Sequence, residues 1–332
     1  MIADSVLRVR DLSVEIALPS GTLHAVSNVD LEAMRGETLA IVGESGCGKT
    51  MTALAAMRLL PRRARLAARE ISLSGTDLRA LSDKAFSAIR GNRMSMIFQD
   101  PMTSLNPVYP IGDQLEEIHM RHRRAGRRRA RERAEYLLDR VGIVNPRARL
   151  GQFPHQLSGG LRQRVMIAMA LMCDPALIVA DEPTTALDVT VQAQVLRLLK
   201  DLQAEFNMAL ILISHDLGVV ARIADRIAVM YAGRVVETGS SGQIFGAPTH
   251  PYTRGLIDCI PYPGKTARRT RLGSIPGIVP SMIGDSRGCM FRNRCGWAED
   301  RCRTDGNAER RIEEGHSYRC IHPVGHLQGA AS

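Results

Sequence analysis

Gly43-Glu44-Ser45-Gly46-Cys47-Gly48-Lys49-Thr50 has the spacing G-x-x-x-x-G-K-[ST], the pattern of a loop that wraps phosphates. Its glycines let the backbone turn tightly and aim successive N–H groups at one point. The helix expected to open there adds positive potential, Lys49 can reach the terminal phosphates, and the Thr50 hydroxyl can ligate Mg2+. A nucleoside triphosphate is the ligand this chemistry serves. A second half of such a site needs a carboxylate for the metal and another for water, both at the end of a buried strand. Leu177-Ile-Val-Ala-Asp181-Glu182 supplies them: Asp181 to hold Mg2+, Glu182 to orient or deprotonate the attacking water. Alone, Asp-Glu could be a surface turn; beside the octet it reads as the catalytic pair.

A third set is sulfur. Cys289, Cys295, Cys302 and Cys320 are separated by five, six and seventeen residues, without the paired C-x-x-C knuckles of structural zinc sites. Four thiolates can hold Zn2+ or a [4Fe-4S] cluster, and the loose spacing, with Gly288, Gly296 and Gly315 letting the loop wrap, favours the cluster. His316 and His322 could replace a thiolate, and free buried cysteines are the third reading. Cys47 is expected to contribute only its backbone N–H, and Cys173 and Cys259 to act as small buried apolar side chains.

The elements that must position these groups follow from periodicity. Val6 to Gly43 favours strands, ending in the apolar run Thr38-Leu-Ala-Ile-Val before the octet, and Gly48 to Leu60 reads as a helix. A strand near Ile71 to Leu73, a polar helix over Asp83 to Arg90 and the strand Met94 to Phe98 precede a proline-rich loop, Asp100 to Pro110. Gly112 to Cys173 is mostly helical. Strands at Leu177 to Ala180 and Ala209 to Ile213, joined by the amphipathic helix Val189 to Phe206, argue for a parallel sheet with crossover helices. Ile227 to Val236 is expected to be a hairpin turning at Ala232-Gly233. Beyond Pro248 strand-like runs vanish, and a domain boundary is expected near 247–260.

The 332 residues, 45% hydrophobic and 23% charged, can bury a sizeable core, so disorder is not the default expectation. The longest apolar run, Val165 to Cys173, is about half of what a membrane span needs, and the N-terminus lacks the basic and apolar regions of a signal peptide, so a cytosolic chain is expected. Of the net charge of +10, the run Arg121 to Arg133 carries a local +7 from eight arginines and one glutamate. That run reads as a solvated helical face, a contact for anionic lipid head groups, or a nucleic-acid site. An aromatic content of 4% weakens the last.

Further residues resemble the ATP-binding subunits of ABC transporters. Leu157-Ser158-Gly159-Gly160 followed by Leu-Arg-Gln163-Arg is similar to that family's signature, Gln99 to its Q-loop glutamine, Ala186-Leu-Asp188 to its D-loop and His215 to its switch histidine. Ser158 and the glycines would open a helix whose N–H groups form a second anion-binding surface. Phe98-Gln-Asp-Pro-Met-Thr-Ser-Leu-Asn-Pro-Val, Pro154-His-Gln-Leu-Ser-Gly-Gly and His250-Pro-Tyr-Thr-Arg-Gly-Leu look like the ATPases of dipeptide and oligopeptide importers, whose relatives also move nickel complexes. One departure is the lack, near Pro19 to Thr22, of the family's adenine-stacking aromatic; only His24 is close.

The resemblance implies an α/β P-loop ABC-ATPase nucleotide-binding domain over residues 1–250, with a RecA-like core, an antiparallel β subdomain and a helical subdomain at about 100–173. A cysteine-containing extension over 251–332 follows. It implies an ATP hydrolase using Mg2+, held by Thr50, Gln99 and Asp181, with Glu182 and His215 catalytic, and Ser158, Gly159, Gly160 and Gln163 completing the ATP site of a partner subunit. Members of the peptide-importer group carry a [4Fe-4S] cluster, which supports that reading of the four cysteines. The implied partners are a second ATPase, expected to be a sister protein, two transmembrane permeases and, indirectly, an extracytoplasmic peptide-binding protein, at the cytoplasmic face of the inner membrane, with no nucleic acid. The rivals are an ABC-type ATPase acting on nucleic acid, a nucleotide-binding regulator without turnover, and an importer of nickel or other small solutes.

Overall fold

The computed structural model describes residues 4–185, 187–260, 273–284, 287–304, 308–313 and 315–324; Ala186 of the expected D-loop and parts of the 251–332 extension lie outside them. In chain order the elements begin with β1 (Ser5–Leu18), β2 (Gly21–Met34), β3 (Thr38–Val42), α1 (Lys49–Ala56), β4 (Ala64–Ala67), β5 (Glu70–Leu73), β6 (Thr76–Asp77), α2 (Asp83–Ser87) and β7 (Met94–Ile97). Next come α3 (Pro101–Ser104), α4 (Ile111–Arg123), α5 (Arg127–Arg140), α6 (Pro146–Arg149), α7 (Gly159–Leu171), β8 (Leu177–Asp181), α8 (Val189–Phe206) and β9 (Ala209–Ser214). The last are α9 (Leu217–Val220), β10 (Arg226–Tyr231), β11 (Arg234–Ser240), α10 (Ser241–Gly246), α11 (Pro251–Asp258), β12 (Arg310–Glu313) and β13 (His316–Tyr318). They form two compact units, one from Met1–Leu7, Ala33–Thr38 and Ser72–Ile213, the other from Arg8–Glu32, Leu39–Ile71 and Ser214–Ser332.

In the first unit β7, β8 and β9 pair in parallel, with Ile97 opposite Ala180 and Asp181 opposite Ile213. Every residue of β8 and β9 is buried, which is why these strands read as unbroken apolar runs. The crossover α8 turns Val195, Leu196, Leu199 and Leu202 inward at helical spacing, each buried side chain contributing about 1.5–3 kcal/mol. Asp188 caps its start by accepting from the Val191 N–H at 2.9 Å, and Asn207, at φ 47°, ends it.

Helices α4, α5 and α7 pack on one another between β7 and β8. Here the basic run is largely paired. The Glu116 side chain, 2% exposed, receives Arg127 at 3.1 Å and Arg131 at 3.6 Å; Arg127 also meets Asp113 at 2.9 Å. Arg128 pairs with Glu132 at 2.9 Å, Arg133 with Asp174, and Arg123 donates to the Cys173 carbonyl. The proline-rich loop after Gln99 contains the short α3 instead of being irregular throughout.

In the second unit β4 runs antiparallel to β1 from Ser13 opposite Ala67 to Ile16 opposite Ala64. Strand β3 is parallel to β10, with Val42 opposite Val229, and β10 turns into antiparallel β11 through Ala232 and Gly233, both at positive φ, the hairpin expected. Two expectations change. Helix α1 stops at Ala56, four residues early, because Arg58 adopts φ 49° ahead of Pro61. Strands also do not vanish beyond Pro248: β13 pairs with β11 through Glu237–Tyr318 and Thr238–Ser317, and β12 adds to β13.

The pairing is anchored by a buried carboxylate. Glu237, its side chain fully buried, accepts from the N–H groups of Thr249 and His250, each at 2.8 Å, and lies 2.9 Å from His316 Nε2. His316, considered as a metal ligand, is thereby committed to Glu237.

Candidate functional site

The octet connects β3 to α1 as its pattern requires. A Cβ at Gly43 would stand 2.1 Å from the Met230 carbonyl oxygen, and one at Gly48, where φ is 102°, 2.4 Å from that of Ala25; glycine is required at both. The hairpin turn braces the loop, Gly233 N–H donating to the Cys47 carbonyl at 2.9 Å. Lys49, 4% exposed, donates from Nζ to the carbonyls of Gly43 at 2.8 Å and Glu44 at 3.0 Å, which satisfies a buried ammonium and holds it over the loop. Thr50 is exposed at the mouth of α1. The Cys47 thiol is buried 3.8 Å from Lys49 Nζ, and burial pushes its pKa up despite that ammonium, as suits a packing side chain.

Two residues that sequence reasoning did not single out hold the same loop, and a third braces one of them. Tyr252, on α11, accepts from the Glu44 N–H at 3.0 Å, and Arg294 reaches both Glu44 carboxylate oxygens at 3.0 Å while its Nη1 also donates to Tyr231 Oη at 3.4 Å. Burial raises both tyrosine pKa values, so the phenols stay neutral. No local pattern marks an arginine in a cysteine-rich tail as a neighbour of residue 44. His24, near the expected base-stacking position, lies 3.2 Å from Glu15 and donates its backbone N–H to the Met282 carbonyl. His215 is exposed after β9, next to Asp216, whose carboxylate caps α9.

In the other unit, Asp181 ends β8 and is 4% exposed. Glu182 follows at φ 45°, a left-handed conformation that costs a non-glycine residue about 1–3 kcal/mol. Its N–H donates to the Ile213 carbonyl at 3.0 Å. Its Oε2 accepts from Gln99 Nε2 at 3.1 Å and from the Thr185 hydroxyl at 2.9 Å, so the Q-loop glutamine and the expected base are brought together. Thr185 is a further partner that no motif announced. Ser158 caps α7, accepting from the Leu161 N–H at 3.4 Å, and Ser158 and Gly159 are exposed. Gln163, the further residue of the expected signature, is 1% exposed, one turn into a helix buried almost all round.

Cys289, Cys295, Cys302 and Cys320 all line one apolar cavity with His250, Phe291 and Trp297, and none of the four is in a disulfide. The Cys289 N–H donates to the Cys302 carbonyl at 2.7 Å, and the His322 N–H to Cys320 Sγ at 3.2 Å. Burial pushes up the thiols of Cys289 and Cys295, and that of Cys320 to about 12. Among the described residues, no group of three or more His, Cys, Asp or Glu is arranged to hold a metal ion.

Residues 26–185 match the family profile described as ABC transporter, and residues 236–302 that described as oligopeptide/dipeptide transporter, C-terminal region. The chain is 47% identical over 319 residues to the probable peptide ABC transporter ATP-binding protein y4tR of Sinorhizobium fredii, covering 96% of this chain and 95% of that one. It is 46% identical over 320 residues to the dipeptide transport ATP-binding protein DppD of Escherichia coli, covering 96% and 97%. Among solved structures, the dimeric post-hydrolysis state of the ATP-binding cassette MJ0796 bound to ADP and Pi superposes with a TM-score of 0.63 at 27% identity, over 71% of this chain and 98% of that one.

Proposed function

Because the chain belongs to the ABC transporter ATP-binding family and carries its oligopeptide/dipeptide C-terminal region, we propose that it is the ATP-hydrolysing subunit energising import of dipeptides or oligopeptides. It is an α/β P-loop ATPase that works as a dimer with membrane permeases. The observation that carries the reading is the glycine-walled loop around buried Lys49, in a chain similar along almost its whole length to peptide-import ATPases. Nucleic-acid action is not favoured, since five of the eight arginines in the basic run are already engaged within the helical region. Nickel or another solute is not favoured by the relatives' names.

The assignment of roles is ours. Gly43 to Thr50 bind ATP, Lys49 supplying the charge on its terminal phosphates. Thr50 and Asp181, with Gln99, would hold Mg2+, which supplies charge neutralisation at the phosphates; the buried carboxylate at a strand end supports this. Glu182 takes the proton of the attacking water, held ready by Gln99 and Thr185. His215 assists at the γ-phosphate. Ser158, Gly159 and Gly160 close on ATP bound by a partner, Asp188 lies at that interface, and hydrolysis reopens the dimer. The partner is a sister ATPase, and an extracytoplasmic peptide-binding protein delivers solute to the two permeases. No helix among the described residues is long and apolar enough to cross a membrane; we read the chain as bound peripherally at the cytoplasmic face through those permeases.

For the cysteines we retain a [4Fe-4S] cluster, with zinc as the alternative. Support comes from four thiols gathered around one apolar cavity, where a metal's positive charge would offset the burial that disfavours thiolates. Anaerobically purified protein is expected to contain iron and sulfide; one zinc and no iron would overturn this. The ATPase reading is tested by calorimetry on Lys49→Ala. Loss of nucleotide binding is expected, and unchanged affinity would refute the role of the loop.

A further inference from the structure

The cysteine-lined segment touches the phosphate loop through one side chain. Arg294 ends a 3-10 turn over Arg292–Arg294, directly before Cys295. Its side chain is 5% exposed, and each nitrogen is used: Nε donates to the Pro276 carbonyl at 2.8 Å, Nη2 to that of Ile275 at 3.2 Å, and Nη1 to both Glu44 oxygens at 3.0 Å. Phe291, in the wall of the cysteine cavity, packs on Tyr231 at 5.3 Å and Tyr252 at 5.4 Å, the two tyrosines beside Glu44. The turn that carries the cysteines is thus wedged against the first turn of the loop.

That turn matters because of what hangs on it. The carbonyls of Gly43 and Glu44 are the ones that hold Lys49 Nζ, and the Glu44 backbone is fixed by Tyr252 Oη. Without Arg294 the Glu44 carboxylate, whose side chain is 29% exposed, has open solvent to turn into, which leaves the Tyr252 contact with the Glu44 N–H to steady the carbonyls that aim Lys49. A planar guanidinium suits the position because it can address two carbonyls and a carboxylate in fixed directions, which an ammonium cannot.

We propose that Arg294 is a positioning residue for ATP binding: it fixes the first turn of the phosphate loop and so links nucleotide affinity to the state of the cysteine-lined segment. The proposal rests on the reading of that loop as the ATP site. If removing Arg294 leaves the competent loop populated about one-tenth of the time, apparent affinity falls about tenfold. Linkage then requires that nucleotide, in turn, stabilise the segment.

The test is ADP-binding calorimetry on the full chain. Arg294→Ala and the isosteric Glu44→Gln are each expected to lose about tenfold in affinity, the double variant no more than either, and Arg294→Lys to recover only part. A folded Arg294→Ala, judged by its thermal melt, that binds ADP within about twofold of wild type would overturn the proposal, as would losses that multiply in the double variant. In a second arm, amide hydrogen exchange over residues 288–296, read by mass spectrometry, is expected to slow when ADP binds the wild type and not when it is added to Arg294→Ala. Equal rates with and without ADP in the wild type would also overturn it. Lys49→Ala separates the two levels: if it binds ADP normally, the ATP-site reading itself fails; if it loses binding while Arg294→Ala keeps it, only the role of Arg294 does.

Discussion

Replacing Glu182 by glutamine changes one atom and removes a charge. The two hydrogen bonds now made to Oε2, from Gln99 at 3.1 Å and Thr185 at 2.9 Å, can be kept by the oxygen of an amide, and the backbone at φ 45° is no harder for glutamine than for glutamate. The side chain should therefore stay where it is. What goes is the ability to accept a proton, which in general-base catalysis contributes about 10²–10⁴ in rate, or roughly 3–5 kcal/mol. The carboxylate's charge-assisted contacts also become neutral ones, a loss of about 1 kcal/mol each that slightly loosens the ground state. Phosphate release by the assembled transporter is expected to fall by about a hundredfold or more while ATP affinity changes by less than about threefold, and size-exclusion chromatography with ATP should show a persistent dimer. A Glu182→Gln enzyme releasing phosphate within about tenfold of the wild-type rate would refute the assignment of Glu182 as base.

Thr185→Val removes one donor to the same carboxylate and is expected to slow turnover about fivefold with nucleotide affinity unchanged; no change in kcat would remove Thr185 from the site. Glu237→Ala orphans three donors around a fully buried carboxylate and should cost about 3–5 kcal/mol, lowering the calorimetric melting temperature by about 4–7 °C. A shift below about 2 °C would contradict the buried network. Burial pushes the His250 pKa from 6.5 down to about 3, and its Nδ1 accepts from the Tyr252 N–H, so the native state holds it neutral while the unfolded chain protonates it below pH 6.5. Stability is therefore full above pH 6.5 and declines as the pH falls toward 3, by about 2 kcal/mol at pH 5. Urea titrations should show this slope flattened in His250→Asn, and an equal slope in both proteins would exclude His250 as its source.

The parts of the site legible in the sequence are those whose reasons are local. Gly43 and Gly48 are forced by the turn itself, Asp181 and Glu182 by the end of a buried strand, and Ala232-Gly233 by hairpin geometry. What stayed hidden depends on distant partners. The short β12 and β13 carry little apolar pattern of their own and form because Glu237 and Tyr318 meet across the sheet. The burial of Gln163 was hidden too, because helix α7 is buried on nearly every side and periodicity could not say which face looks inward. Arg294 and Thr185 are ordinary residue types whose importance lies only in what they touch.

The parallel pairing of β3 with β10 also dictates when the nucleotide site can exist. Val42 and Val229 are about 190 residues apart, and the hairpin turn that braces the phosphate loop comes after Val229. A ribosome has therefore released most of the chain before the loop gains its neighbouring strand, and Arg294 emerges later still. Until then Lys49 and its glycines belong to a nascent segment with an apolar strand, Leu39 to Val42, still unpaired with β10. Chain synthesis thus leaves a long interval in which that strand is an aggregation hazard, and chaperone dependence is the expected cost of building an ATP site from opposite ends of the chain.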